Sequence, residues 1–384
     1  MDRRQFLAAG GLAAASPVLA QTSASHESAD SSTQLFNRID FTTDGLGLDP
    51  REYALLLQET AAKENFDADY YSLGGAIADL ERDFAQRLGK QAAIFLPTGT
   101  LANHLAVRKL AGNDRRVLVQ AESHLYNDSG DGAAVLSGLN LIPLAAGGST
   151  IDVAEVKRWV ERSAGGRVES KVGVIAIENP VRRRHHEMVE PGELERVCAY
   201  AREQGIRLHL DGARMFSLPF HSGRSVRQYA ALFDTVYVSL WKHFNGAGGA
   251  ILAGDADFIS GLFHTRRMFG GSLPYAWPQV ALVGRYADSY EADYARSWQA
   301  ADELIGLLKS DGRFAVRKVP NGTSRFFLTV TGVAPDVLAE RAARRGVILN
   351  AHPGTGVFSM QVNPTLMRTS PAALARILIA SMEA

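Results

Sequence analysis

Ile206-Arg207-Leu208-His209-Leu210-Asp211-Gly212-Ala213-Arg214 is the stretch that decides the fold. A β-rich apolar run, Ile206–Leu210, stops abruptly at an acid, a turn and a base. Four other runs have the same form, so strands are expected at Ala92–Leu96, Arg116–Gln120, Val172–Ile177, Ile206–Leu210 and Thr235–Ser239. Helical patterns such as Leu101–Leu110 and Glu193–Gln204 lie between them. That alternation predicts an α/β core with a mostly parallel sheet.

The residues that follow each run matter most. They are Pro97-Thr98-Gly99-Thr100, Glu122-Ser123-His124, Glu178-Asn179-Pro180, Asp211-Gly212-Ala213-Arg214 and Trp241-Lys242-His243. Taken singly, each has a plain structural explanation: a helix cap, a core histidine, a strand-end acid. In an open parallel sheet, however, ligands bind beyond the carboxyl ends of the strands. One edge would then carry a glycine turn, an imidazole, two acids, an arginine and a lysine, a residue type seldom buried without a partner. Pyridoxal phosphate uses the whole set. Its aldehyde takes a lysine, its pyridinium nitrogen an aspartate, its phosphate an anion-binding turn and its ring a flat side chain. A lysine among other cations or apolar walls has a depressed pKa and becomes nucleophilic.

In family order, the chain resembles the threonine aldolases within the β-eliminating lyases of PLP fold type I. The resemblance runs through Ile39–Asp44, 92–103 (AAIFLPTGTLAN), 124–136 (HLYNDSGDGAAVL), 177–179 (IEN), 208–214 (LHLDGAR), 239–242 (SLWK), 266–271 (RRMFGG) and 347–353 (VILNAHP). It implies a large cofactor domain with a mostly parallel sheet and a small α+β C-terminal domain. It also implies roles for individual residues. Lys242 corresponds to the Schiff-base lysine and Asp211 to the pyridinium partner. Arg214 matches the arginine near the cofactor's phenolic oxygen and the substrate carboxylate. Gly99, Thr100 and the amide of Leu101 match the phosphate turn, and His124 the stacking imidazole and base. Glu178 matches the family's acid of the Glu-Asn-Thr-His segment. Thr43 and Tyr71 fall at substrate-side positions, Tyr71 on a mobile loop. Arg266 or Arg267 matches a basic residue reaching a neighbouring subunit's phosphate, which implies a homodimer or homotetramer.

Departures from the family pattern fall on the substrate side. Trp241 replaces the serine before the lysine, and Ser272-Leu273-Pro274-Tyr275 follows Gly270-Gly271 where Gly-Met-Arg-Gln is usual. The late arginine that clamps the substrate carboxylate is missing from Phe358–Asn363, leaving Arg325 or Arg368 to supply the charge. The basic run Arg182-Arg183-Arg184-His185-His186 reads as a loop at the pocket rim or a subunit interface. No metal site is expected from it.

The rest of the sequence bounds this reading. The 384 residues carry 41 Lys+Arg and 41 Asp+Glu, a balance that argues against nucleic acid or an anionic membrane as partner. The single cysteine, Cys198, excludes an internal disulfide framework and reads as a buried apolar residue. Residues 1–20, with Arg3-Arg4 before a short apolar run, resemble a twin-arginine signal, implying a periplasmic or secreted protein with no membrane anchor. A polar linker is expected at 21–34, the large domain with an N-terminal arm at 35–290 and the small domain at 291–384. A long helix is expected around Tyr275–Leu308, a strand at Arg325–Val330 and a final helix at Pro371–Met382. The expected activity is cleavage of a β-hydroxy-α-amino acid to glycine and an aldehyde. β-Elimination, racemisation and a catalytically degenerate cofactor-binding relative are the alternatives.

Overall fold

The computed structural model describes residues 35–351 and 355–383; the expected signal and linker lie outside them. The described chain opens with an arm that contains β1 (Ile39–Asp40) and leads into α1 (Pro50–Ala61) and α2 (Gly75–Leu88). α1 starts on a capping box. The Asp49 carboxylate accepts from the Arg51 and Glu52 amides, and the Glu52 side chain accepts from the Asp49 amide. α2 stops at Gly89, whose φ of 65° is the left-handed conformation that suits glycine.

One sheet holds seven strands: β2 (Ala92–Leu96), β3 (Arg116–Gln120), β4 (Asn140–Leu144), β5 (Val172–Glu178), β6 (Arg207–Asp211), β7 (Thr235–Ser239) and β8 (Ala250–Gly254). Their spatial order is β2-β8-β7-β6-β5-β3-β4, and only β8 runs antiparallel to its neighbours. β2 therefore points the same way as the parallel set, and the carboxyl ends of β2, β3, β5, β6 and β7 share one edge. β5 is buried at all its positions, as a strand covered on both faces must be. The expected strands form, but β5 and β6 each run one residue further, so Glu178 and Asp211 are themselves strand residues and register partners. β4 and β8 escaped the sequence reading for physical reasons. Asn140–Leu144 contains Pro143, tolerable because β4 is an edge, and Ala250–Gly254 is rich in small residues of low strand preference.

The long helix expected around Tyr275–Leu308 is broken into Trp277–Val280, Val283–Ala287 and Tyr290–Lys309. The Asp69 carboxylate accepts from the Ala276 and Trp277 amides, and Pro278 cannot donate within a helix, so helical structure starts only at Trp277. The C-terminal part contains β9 (Phe314–Lys318), β10 (Arg325–Val330), β11 (Val347–Ile348) and β12 (Val357–Gln361), with helices Pro335–Ala343 and Pro371–Glu383. β12-β10-β9 form a separate antiparallel sheet. β11 pairs in parallel with β1, and Asn363 Nδ2 donates to the Asp40 and Thr43 carbonyls at 2.7 and 2.8 Å. These contacts fix the arm that carries Thr43 and Asp44. Cys198 is fully buried and its thiol is pushed up to about 12 by burial, so it packs as an inert apolar residue. No helix among the described residues is long and apolar enough to cross a membrane.

Candidate active site

Lys242 lies in the turn after β7, and its Nζ stands 4.8 Å from the centre of the Trp241 ring. Burial, then the nearby Arg214 charge, lowers its pKa to about 8; Asp44, Asp211 and Glu178 oppose that shift. An amine in this range is partly neutral at physiological pH, as a nucleophile requires.

Asp211 ends the neighbouring strand. Its Oδ2 accepts from Asn103 Nδ2 at 2.6 Å and its Oδ1 from the Ala213 amide at 3.1 Å. Asn103 Oδ1 in turn meets His209 Nε2 at 2.8 Å, and His209 Nδ1 meets Thr235 Oγ1 at 2.8 Å. Across the ladder, burial and then the Asp211 charge push the Glu178 carboxyl up to about 7. Glu178 accepts from the His124 amide at 2.7 Å and the Arg182 amide at 2.9 Å, which ties the β3 and β5 loops together. His124 is half-buried, with Nδ1 buried and without a hydrogen-bond partner among the described residues.

After β2, Thr98 caps α3 (Gly99–Ala111) by accepting from the Leu101 amide at 3.2 Å. The Leu101 amide, expected in the phosphate turn, is the one this cap engages. Among the described residues, the Gly99 and Thr100 amides have no acceptor. A Cβ at Gly99 would collide with the Tyr237 hydroxyl, so only glycine lets the turn lie over β7.

Arg214 and Asp44 form a bidentate pair, Nε–Oδ1 and Nη2–Oδ2 both at 2.8 Å, with side chains 7% and 8% exposed. Burial would raise the Asp44 carboxyl, but Arg214 overrides it and holds the group well below the usual carboxylate range. Gln361 Nε2 donates to Asp44 Oδ1 at 3.3 Å, and Gln361 Oε1 accepts from Arg325 Nε at 3.0 Å. A cavity of about 810 Å³ opens over this chain, lined by Thr43, Asp44, Tyr53, Arg182, Arg214, Trp241 and Arg325 among others. Arg182 donates to Asp128 at 2.5 Å. Arg325 forms no ion pair among the described residues. Arg368 is elsewhere, donating to the Arg38 carbonyl, so the structure brings Arg325 to the site and leaves Arg368 out.

Three other expected residues also lie apart from the cavity. Arg266 is fully buried and donates to the Phe95 and Ser72 carbonyls at 2.8 and 3.5 Å. Arg267 is exposed, its guanidinium 5.1 Å from the Tyr71 ring centre. Tyr71 adopts φ 52° and packs edge-on to Tyr70, beside Arg267 rather than on the cavity wall. Sequence reading missed Asn103, His209, Asp44 and Gln361. Two of these carried a signal. His209 is two residues before Asp211 on one strand, hence on the same face, and Asn103 is one turn beyond Gly99.

Together these residues fit pyridoxal phosphate: a depressed lysine, a strand-end aspartate, two open helix-start amides and a histidine with an orphaned ring nitrogen. The fold and this donor set define a pyridoxal-phosphate enzyme of the aminotransferase-like α/β class. The chain belongs to the beta-eliminating lyase family, which it matches over residues 56–321. It is 28% identical over 277 residues to a low specificity L-threonine aldolase of Saccharomyces cerevisiae, covering 70% of each chain. An alanine racemase of Cochliobolus carbonum is 26% identical over 238 residues, covering 62% of this chain and 59% of that one. Among solved structures, a proposed L-allo-threonine aldolase of Listeria monocytogenes EGD-E superposes with a TM-score of 0.73 at 28% identity, covering 91% of this chain and 97% of that one.

Proposed function

We propose that this enzyme cleaves the Cα–Cβ bond of a β-hydroxy-α-amino acid to give glycine and an aldehyde. The observation that carries the reading is the shared sheet edge, where Lys242, Asp211, Glu178 and His124 meet beside a cavity lined by Arg325, which forms no ion pair among the described residues. When bound, pyridoxal phosphate supplies an electron sink for the pair released from the broken bond. Lys242 would hold the cofactor through its aldehyde, and Asp211 would hold the proton at the ring nitrogen. The Gly99 and Thr100 amides would receive the phosphate. Arg214, fixed by Asp44, would serve the phenolic oxygen. Arg325 holds the substrate carboxylate, standing on β10 directly across from Gln361 of β12. The cation is thus supplied from the neighbouring strand. Thr43 lines the same cavity, and His124 takes the β-hydroxyl proton as general base.

Incubating the purified mature enzyme with threonine, allo-threonine and phenylserine tests this reading, with aldehyde and glycine expected in equal amounts. Racemisation at Cα is the second reading, favoured by the Cochliobolus relative; alanine exchanging its α-proton with no aldehyde formed would establish it instead.

Three further proposals concern the whole protein. Copies pair through the exposed face of Tyr70, Leu73, Met268 and Tyr275, placing Arg267 at a neighbour's phosphate; sedimentation velocity should give a dimer or tetramer. The chain divides at residue 290 into cofactor and small domains, and residues 1–20 direct export of the folded protein, leaving a mature N-terminus after Ala20.

A further inference from the structure

Asp211 is held by a chain of buried hydrogen bonds that runs through Asn103 and His209 to Thr235. Asn103, His209 and Thr235 are all within 1% of complete burial, and their side-chain hydrogen bonds among the described residues join them in the order already named. Their chemistry fixes the direction of every bond. A carboxylate only accepts, so Asn103 must turn its NH2 toward Asp211 Oδ2 and its oxygen toward His209. That oxygen also only accepts, so His209 must carry a hydrogen on Nε2. Burial lowers the pKa of His209 to about 4, against the pull of Asp211, so the ring is neutral and has one N–H. Nδ1 is therefore the acceptor, and the Thr235 hydroxyl must donate to it. The sequence of donors runs one way: Thr235 Oγ1 to His209 Nδ1, His209 Nε2 to Asn103 Oδ1, and Asn103 Nδ2 to Asp211 Oδ2.

We propose that Asn103, His209 and Thr235 form a one-directional relay that positions Asp211 and sets how firmly its carboxylate holds the proton of a bound pyridine nitrogen. The relay rests on the cofactor assignment made above, and not on the identity of the amino acid cleaved. Each donation polarises the next, and the last ends on a charge, where a hydrogen bond is strongest. With Oδ2 taken by Asn103 and the carboxylate plane fixed by the Ala213 amide on Oδ1, Asp211 cannot rotate freely in its pocket. Asn103 contacts Asp211 itself, whereas His209 and Thr235 act through it and are positioning residues.

The test uses the holoenzyme and three substitutions: Asn103→Leu, His209→Phe and Thr235→Val. The readouts are cofactor dissociation constant, the pH midpoint of the visible band of bound cofactor, and kcat. Effects should grade with distance from Asp211. Loss of the bond to the charged oxygen should weaken cofactor binding about tenfold or more; loss of the neutral bonds further out should cost about twofold to fivefold. The pH midpoint should move in the same direction in all three variants. His209→Gln, which returns an N–H donor to Asn103, should recover part of the His209→Phe loss. A merely structural role would lower thermal stability and leave the band's pH midpoint in place, and that result overturns the relay. Thr235→Val is nearly isosteric and decides the matter if a larger change fails to fold: a midpoint and cofactor affinity equal to wild type overturn the one-way chain. The band requires no substrate, so an enzyme with a normal band and no aldol cleavage refutes the proposed reaction while leaving the relay standing. A wild-type protein with no band refutes both.

Discussion

The two sides of the site are built differently. Around Asp211, successive polar groups are buried and matched, donor to acceptor, out to Thr235 on the next strand. Around Arg325, a charge stands in a cavity of about 810 Å³ with one neutral partner, and the Trp241 indole is 52% exposed. The closed side serves a ligand whose ring and phosphate are the same in every turnover. The open side must admit, hold and release a variable molecule, so it keeps unspent hydrogen-bonding capacity. The departures from the threonine aldolase pattern, Trp241 and the absent late arginine, fall on the open side. Cofactor chemistry and substrate selection should therefore be separable by mutation.

The largest effect should come from the residue at the junction. Lys242→Ala should abolish both the visible cofactor band and turnover while the far-ultraviolet circular dichroism stays native. A variant that retains the band would move the attachment point and dissolve the distinction between the two sides.

The next effect is on stability. Asp44→Ala strands the Arg214 guanidinium in a buried site without its counter-charge, which typically costs about 3–5 kcal/mol. Because folding holds Asp44 ionised more firmly than the unfolded chain does, its contribution is fully present above about pH 4. It is lost as pH falls from there toward the depressed folded value. Urea unfolding of wild type and Asp44→Ala at pH 7 and pH 3 should thus show the gap between them shrinking in acid. A constant gap would mean that the pair holds the arm by shape rather than charge.

Asp44 also shows what the sequence could not reveal. The strand-end residues were legible because an apolar run that stops at Asp211 or Glu178 announces its own boundary, and the parallel order brings those ends together. The partners of these residues were not legible. Asp44 meets Arg214 from 170 positions away, Asn103 reaches Asp211 across 108, and Gln361 reaches Asp44 across 317. No local propensity encodes such contacts; they exist only once sheet order and the β1–β11 pairing have formed. The choice between Arg325 and Arg368 failed on sequence for the same reason. Each is a basic residue on a C-terminal element, and only the register placing Arg325 opposite Gln361 brings it to the cavity.

Arg325→Ala should raise KM for amino acid substrates about 10- to 100-fold, the value of a charge-assisted hydrogen bond to a carboxylate, while the cofactor band stays unchanged. Arg325→Lys should recover part of the loss. Steady-state kinetics with phenylserine provides the measurement. An unchanged KM would hand the carboxylate to Arg182 or Arg214 and make Arg325 a support for Gln361.

The smallest effect falls on Trp241, which belongs to the open side yet touches the lysine of the closed one. An indole face within 4.8 Å of an ammonium favours the charged form by about 0.5–1 kcal/mol at an exposed site. Burial and Arg214 push Lys242 in the opposite direction, down to about 8. Removing the ring while keeping an apolar side chain, Trp241→Leu, should therefore lower the lysine's pKa by roughly half a unit, since about 1.4 kcal/mol corresponds to one unit. The neutral amine captures the cofactor, so the rate at which apoenzyme takes up pyridoxal phosphate should rise with pH through about 8 in wild type. The same rise should come about half a unit earlier in the variant. A later rise would mean that the indole shields Lys242 from water more than it stabilises its charge, and the exposed ring would then be part of the closed side.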